Sequence, residues 1–150
     1  MSSPELTILE RIRIQMEYAV PLIQDLQELL GEESVNAALA ERLRTRTQKA
    51  KDTCTNEADM SRMALGTEQF AAGEALEYEI IESDSERFDM NVTRCRYAQM
   101  MEQLGAREIG HLLICNGDFE AAERVGMELT RTQTCMQGAD FCDFRYRKRS

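Results

Sequence analysis

Residues 76–92 read LEYEIIESDSERFDMNV, and here the chain changes from helical to strand periodicity. Each half alternates apolar with polar side chains, and the apolar positions are Leu76, Tyr78 and Ile80 in the first half and Phe88, Met90 and Val92 in the second. The polar run at 83–85 separates the halves. Period-two alternation is typical of strands with one buried face, so the segment predicts an antiparallel hairpin.

Helical periodicity surrounds this hairpin. Three helices are predicted before it, at 4–31, 33–52 and 57–71. After it we expect helices at 96–104, 106–115 and 119–125, then a second hairpin of strands 127–135 and 140–147. The pattern predicts an α+β fold, in which N-terminal helices precede a four-stranded antiparallel sheet made of two hairpins with intervening helices. We expect a helical region (1–72) and an α+β region (73–150) that form one compact unit.

The first helix has an apolar seam at strict three-four spacing. Its members are Leu9, Ile12, Met16, Ala19, Ile23, Leu26 and Leu30. The seam either packs on its own domain or joins two copies, so a homo-oligomer built through the N-terminal helices is one prediction. Pro21 lies within the seam and should kink the helix or begin a second one.

Net charge and composition limit the binding partners and the cellular compartment that can be expected. The net charge is -9, which argues against nucleic acid, and the basic run at 145–149 is expected to face solvent. No stretch is long and apolar enough to cross a membrane, and residues 1–5 lack a signal-peptide pattern. We therefore expect a cytoplasmic protein without a membrane partner, whose five cysteines are free, catalytic or metal-binding rather than paired in disulfides.

Four side chains that can carry chemistry lie close together in the sequence. Glu108, His111, Cys115 and Asp118 are separated by three, four and three residues, which places them on one face of a continuous helix. His111 could act as the base for a Cys115 nucleophile, and Glu108 could orient the imidazole. Asp118 is a catalytic candidate as well, or simply the cap of helix 119–125.

Two other interpretations of Cys115 remain open. It could be a buried structural cysteine, or it could bind a metal such as zinc together with Cys135 and Cys142. Cys95 follows the first hairpin at a position that often lines a site. Arg94 or Arg96 could hold a substrate carboxylate there, or either could be a solvated surface charge.

Four blocks of the sequence resemble a known family. They are VTRCRYA at 92–98, LGAREIG at 104–110, CNGDF at 115–119 and TCMQGADFCDF at 134–144. In order and spacing they resemble signatures of the L-2-amino-thiazoline-4-carboxylic acid hydrolase family, over about residues 75–147. The family positions present are Cys95, Glu108, Cys115, Asp118, Gly138 and Cys142.

The resemblance implies an enzyme that hydrolyses a small cyclic amidine. Water adds at the carbon between ring sulfur and nitrogen, the C–S bond breaks, and N-carbamoyl-L-cysteine forms. On this hypothesis Cys115 is the nucleophile or the water-activating centre, and Asp118, Glu108 and His111 are the candidate acids and bases. The pocket would be lined by Cys95, Arg94, Arg96, Cys142 and Thr134.

The last block also resembles the end of a 4-vinyl-reductase-type small-molecule-binding domain. This similarity implies an alternative, a non-catalytic sensor module that holds zinc through Cys115, Cys135 and Cys142. The glutamate expected three residues before Cys135 is Thr132 here. No cofactor is firmly expected, but zinc is possible: it could belong to the sensor module, or a metallohydrolase could use it to activate water through Cys115, Cys135 and Cys142.

Overall fold

The computed structural model describes residues 4–149. Residues 1–3 and 150 lie outside the described part, so the interpretation of the extreme N-terminus is not addressed by the structure. The helices are α1 (Ile8–Leu30), α2 (Glu32–Thr53), α3 (Ser61–Ala71), α4 (Arg96–Gln103) and α5 (Gly117–Arg124). The strands are β1 (Leu76–Ser83), β2 (Arg87–Cys95), β3 (Met127–Thr130) and β4 (Cys142–Lys148).

The four strands form one antiparallel sheet in the order β1-β2-β4-β3. This confirms the predicted α+β fold with its helices before the sheet. In the centre of the sheet β2 and β4 pair so that Met90 lies opposite Phe144 and Val92 opposite Cys142. The second hairpin is therefore continuous with the first, and Cys142 is carried to the end of β2.

Strand β3 is shorter than predicted. It ends at Thr130, and Cys135–Gln137 form a 3₁₀ turn instead of a strand end. Here Asp143 of β4 accepts hydrogen bonds from the backbone N–H groups of Thr132 and Gln133, both at 2.9 Å. These bonds turn the chain away from the sheet before residue 135.

The buried face of the first hairpin is clearest on β2. Phe88, Met90 and Val92 are all buried, as their alternation predicts. On β1, however, Ile80 is 45% exposed. Strand β1 is the edge strand, and two register shifts interrupt its pairing with β2, so its outer half leaves the core.

Helix α1 is held at its start by a capping box between Thr7 and Glu10. The helix continues through Pro21 as far as Leu30, so the expectation that a second helix begins at Pro21 is wrong. Most of the apolar seam, from Leu9 to Ile23, packs on the chain's own core, in which Met16 and Ile23 are buried. The last two seam residues, Leu26 and Leu30, remain exposed.

Two hydrophobic clusters fill the interior. One lies among α1, α2, α4 and the segment after α4, and the other lies between the sheet, α3 and α5. Leu76 and Cys95 pack against both clusters. Among residues 4–149, no helix combines the length and the apolar character that a membrane crossing requires.

Candidate active site

A cavity of about 220 Å³ opens beside the sheet, bounded by α3, by the start of α5 and by the ends of β2 and β4. Most of its wall is apolar and aromatic. Among the side chains in the wall that can carry chemistry are Cys95, Cys115, Asp118, Arg131, Thr134 and Cys142, together with Arg62, Tyr97 and Tyr146. A small apolar cavity with a few convergent polar groups is typical of a small-molecule site.

Five of the predicted site residues line this cavity, and each is placed by a different element. Cys95 ends β2 and Cys142 begins β4, where the pairing of the two strands brings them together. Cys115 ends a short helix, and Asp118 lies in the first turn of α5. Thr134 precedes the 3₁₀ turn, and its hydroxyl accepts a hydrogen bond from the N–H of Gln137 at 3.2 Å.

The segment that carries Glu108, His111 and Cys115 is not a continuous α-helix. A 3₁₀ turn at Arg107–Ile109 leads into a π-helix at His111–Cys115, in which the N–H of Asn116 bonds to the carbonyl of His111 at 2.9 Å. The wider π turn changes the angular spacing of these side chains. The expectation of one continuous α-helix through these residues is therefore wrong.

Neither Glu108 nor His111 belongs to the cavity wall. Glu108 is exposed. Nδ1 of His111 is buried without a hydrogen-bond partner, and burial lowers the pKa of the imidazole. Within residues 4–149 no hydrogen bond joins His111 to Cys115, so the structure does not assemble the predicted thiol–imidazole pair.

Arg131 is the functional candidate that sequence reasoning missed. Its side chain is only 2% exposed, and its Nη1 donates to Oδ2 of Asp118 at 2.8 Å. Its Nη2 donates to the carbonyl oxygen of Cys115 at 3.0 Å. The guanidinium lies 5.0 Å from the ring centroids of both Phe119 and Phe144, a geometry in which cation–π attraction stabilises a buried cation.

One signal in the sequence could have revealed Arg131. Met127 and Leu129 are the buried positions of β3, and Arg131 follows them in the same period-two phase. A charged residue on the inward phase of a strand requires a buried partner. Asp118, thirteen residues earlier, provides it.

Burial raises the pKa of Asp118 from its usual value of 3.8 to about 6, and the cation of Arg131 partly offsets this rise. Asp118 does not act as the cap of a helix at 119–125, as one interpretation had it. Helix α5 already begins at Gly117, and the carboxylate accepts a hydrogen bond from Arg131 instead. A carboxyl group with a pKa near 6 can both accept and donate protons near neutrality.

The thiols around the cavity are held in the neutral form. Burial raises the pKa of Cys115 far above its usual value, and the negative charge of Asp118 raises it further. Burial also raises the pKa values of Cys95 and Cys142. In the resting state Cys115 is therefore a protonated thiol, and its attack on a substrate would require a proton acceptor beside it.

Arg94 and Arg96 lie away from the cavity. Arg94 is exposed and pairs with Glu77 at 3.1 Å, while Arg96 donates to the carbonyl of Gly73 at 3.1 Å. The cationic side chain found at the edge of the cavity is Arg62, which is 77% exposed and pairs loosely with Asp59 at 3.7 Å.

The donor set expected for zinc is not assembled. Sγ of Cys135 donates to the carbonyl of Val92 at 3.4 Å, and Sγ of Cys142 accepts from the N–H of Cys135 at 3.1 Å. Across the described residues 4–149, no three His, Cys, Asp or Glu side chains are arranged to hold a metal ion. The set Cys115, Cys135 and Cys142 therefore does not fit the metal in this structure.

Comparison with known proteins supports the resemblance noted in the sequence. A search of the curated proteins finds no significant match. A family model, described as L-2-amino-thiazoline-4-carboxylic acid hydrolase, matches residues 11–146. The match covers nearly the whole chain, including the N-terminal helices that lie outside the four sequence blocks. The chain therefore belongs to the L-2-amino-thiazoline-4-carboxylic acid hydrolase family.

Proposed function

We propose that the cavity is the active site of a hydrolase that opens a small, carboxylated cyclic amidine of the 2-aminothiazoline-carboxylate type. The observation that carries this proposal is the Asp118–Arg131 pair, a proton-transfer group with a pKa of about 6 in the same cavity wall as the Cys115 thiol. The family name supports hydrolysis. The size of the cavity, about 220 Å³, suits a single small ring, since pockets for drug-sized ligands measure roughly 300–1,000 Å³.

Asp118 is the proton carrier of this mechanism. At neutral pH it is mostly a carboxylate and accepts the proton of the attacking group as that group adds to the amidine carbon. The tetrahedral adduct then collapses, the C–S bond breaks, and the protonated Asp118 returns the proton to the departing ring sulfur. Arg131 is a positioning residue, because it fixes the carboxylate and limits the rise of its pKa.

Two attacking groups are compatible with this proton path. In the first route water attacks directly, and the net result is one water added and one C–S bond broken. In the second route the Cys115 thiol attacks, its proton passes to Asp118, and a covalent adduct on sulfur forms as the ring opens. Water then displaces the Cys115 thiol to give the same carbamoyl product. The raised pKa of Cys115 makes transfer of its proton to Asp118 part of the attack itself.

The remaining wall residues would select the substrate. Cys95, Cys142 and Thr134 provide a compact surface of sulfur and hydroxyl groups for a flat ring. The guanidinium of Arg62, at the open edge, would hold the ring carboxylate. Since Arg94 and Arg96 are engaged elsewhere, Arg62 replaces them in this role.

The test is turnover of 2-amino-thiazoline-4-carboxylate, followed by mass spectrometry of the ring-opened product. Asp118→Asn should lose about 10²-fold or more in kcat while remaining folded. Glu108→Gln is the matched control, because it makes the same change at an exposed carboxylate outside the cavity, and it should retain the wild-type rate. Equal losses in the two variants would contradict the site described above.

Cys115→Ser separates the two routes. Loss of turnover in this variant, with a substrate-sized adduct on the wild-type cysteine after rapid quenching, supports the covalent route. A near wild-type rate assigns the attack to water. Stoichiometric binding of candidate rings without any turnover in the wild-type protein would instead favour the non-catalytic sensor module.

A further inference from the structure

Helix α1 presents a second apolar face, distinct from the seam that packs in the core. The face consists of the exposed side chains Ile14, Tyr18, Leu22 and Leu29. Tyr18 is 78% exposed and Leu29 is 79% exposed, and a contiguous exposed apolar patch often marks an interaction site. We refer to these four residues as the Tyr18 face.

Two charged residues extend the Tyr18 face symmetrically. Arg11 lies seven residues before Tyr18 and Asp25 lies seven residues after it, so both fall on the same line of the helix, each about 10 Å from Tyr18. Both are exposed. Among residues 4–149 neither forms an ion pair, although Arg13 on the same helix does so with Glu17. Ile14 and Leu22 also lie at equal distances on either side of Tyr18.

We infer that the Tyr18 face is a two-fold interface at which a second copy of this chain binds α1 against α1 in antiparallel orientation. An axis through Tyr18 places Arg11 of each copy against Asp25 of the other, and Ile14 against Leu22. A two-fold interface must be complementary to itself, and Arg11, Ile14, Tyr18, Leu22 and Asp25 are arranged in this way. A shallow crossing of about 20° keeps both ends of the contact in register.

This charge pattern is what favours a second copy of the chain as the partner at the Tyr18 face. An antiparallel copy pairs Arg11 with Asp25 twice, once at each end of the contact, and so matches all four of these charges. The net charge of -9 opposes association of two copies, but repulsion between exposed charges is screened beyond about 8–10 Å at physiological salt. Local pairing at the Tyr18 face can therefore outweigh it. The interface does not depend on the proposed reaction.

The test is the dimer dissociation constant measured by sedimentation of the full chain. The wild-type protein should be a dimer at micromolar concentration. Arg11→Glu and Asp25→Arg should each weaken the dimer about tenfold or more, because each variant opposes like charges at both symmetric contacts. The double variant Arg11→Glu/Asp25→Arg exchanges the charges and should restore most of the wild-type affinity. A merely structural effect of either substitution would not be reversed in this way.

Arg42→Glu is the matched control, a charge reversal at an exposed position of α2 that should leave the dissociation constant unchanged. Tyr18→Cys tests the position of the axis, since mild oxidation should join the two copies through the cysteines introduced at position 18. A wild-type monomer, a dimer indifferent to the charge reversals, or a double variant as weak as the singles would each overturn the inference.

Discussion

Replacing Arg131 by methionine tests how much the Asp118–Arg131 ion pair contributes to folding stability. Methionine occupies a similar volume between Phe119 and Phe144 but removes the cation. Breaking a buried ion pair commonly costs about 3–5 kcal/mol, because the other charge remains buried without a partner. Here Asp118 can escape that penalty by taking up a proton. At pH 7 protonation costs only about 1.4 kcal/mol, since its pKa is already about 6.

The loss of stability should therefore depend on pH. Lost cation–π contacts and the unpaired carbonyl of Cys115 add about 1–3 kcal/mol at any pH. The pKa of Asp118 is raised in the folded state, so its ionisation lowers folding stability as pH rises from about 4 to about 6. Above pH 6 the wild-type carboxylate is charged and paired with Arg131. In the variant the carboxyl group of Asp118 stays neutral, so the variant continues to lose stability as pH rises. The difference between the two proteins should be about 1 kcal/mol larger at pH 7 than at pH 5.

The assay is urea denaturation of both proteins at pH 5 and pH 7. Arg94→Met is the control, because Arg94 forms an exposed ion pair with Glu77, and it should change stability by about 0.5 kcal/mol or less at both values of pH. A loss for Arg131→Met that is the same at pH 5 and pH 7 would refute the reasoning, as would a loss no greater than that of the control.

Three further predictions follow from the geometry. Alkylation of Cys115 by iodoacetamide should be slow at neutral pH and should accelerate with each added pH unit, because burial raises its pKa; rapid reaction near pH 7 would show an activated thiolate. Gly126→Ala should destabilise the fold by about 2 kcal/mol or more, since φ is +76° and a Cβ would lie 2.7 Å from the carbonyl oxygen of Asn56. The control is Gly66→Ala, in open space within α3, which should be neutral or stabilising in the same denaturation experiment. Burial lowers the pKa of the His111 imidazole in the folded protein, so as pH falls through about 6.5 the unfolded chain binds the extra proton first and the wild-type protein loses stability. His111→Gln should not show this loss of stability. A stability profile on acidification that the substitution leaves unchanged would contradict this.

The architecture could be predicted from the sequence because its signals are local. Period-two alternation located β2, and glycines such as Gly31 and Gly105, both at positive φ, marked helix ends. The shortening of β3 could not be predicted, because it depends on Asp143, which lies on another strand and captures two backbone N–H groups. The continuation of α1 through Pro21 likewise depends on tertiary packing, which buries Val20 and Ile23 on either side of it.

Part of the candidate site could be predicted from the sequence. Cys115, Asp118, Cys95 and Cys142 could be selected by residue type and resemblance, and all four line one cavity. The roles first assigned to His111 and Glu108 assumed a regular α-helix. The apolar periodicity of the sequence does not predict a π-helix. Gly110, the residue before it, packs so closely on Met136 that a Cβ would lie 2.3 Å from the sulfur. Folding brings Arg131 to Asp118, and the one sequence signal for this is that Arg131 follows β3 in the phase of its buried residues.

The most direct test of the account is the pH dependence of kcat/KM for 2-amino-thiazoline-4-carboxylate. With Asp118 as the proton acceptor, the rate should rise through an inflection near pH 6 and then level off. In Arg131→Lys, where the hydrogen bond to Asp118 is weakened, the inflection should move to higher pH. An inflection that belongs to the substrate would stay in place. A profile without an inflection near pH 6, or one that Arg131→Lys leaves unmoved, would contradict the assignment of Asp118.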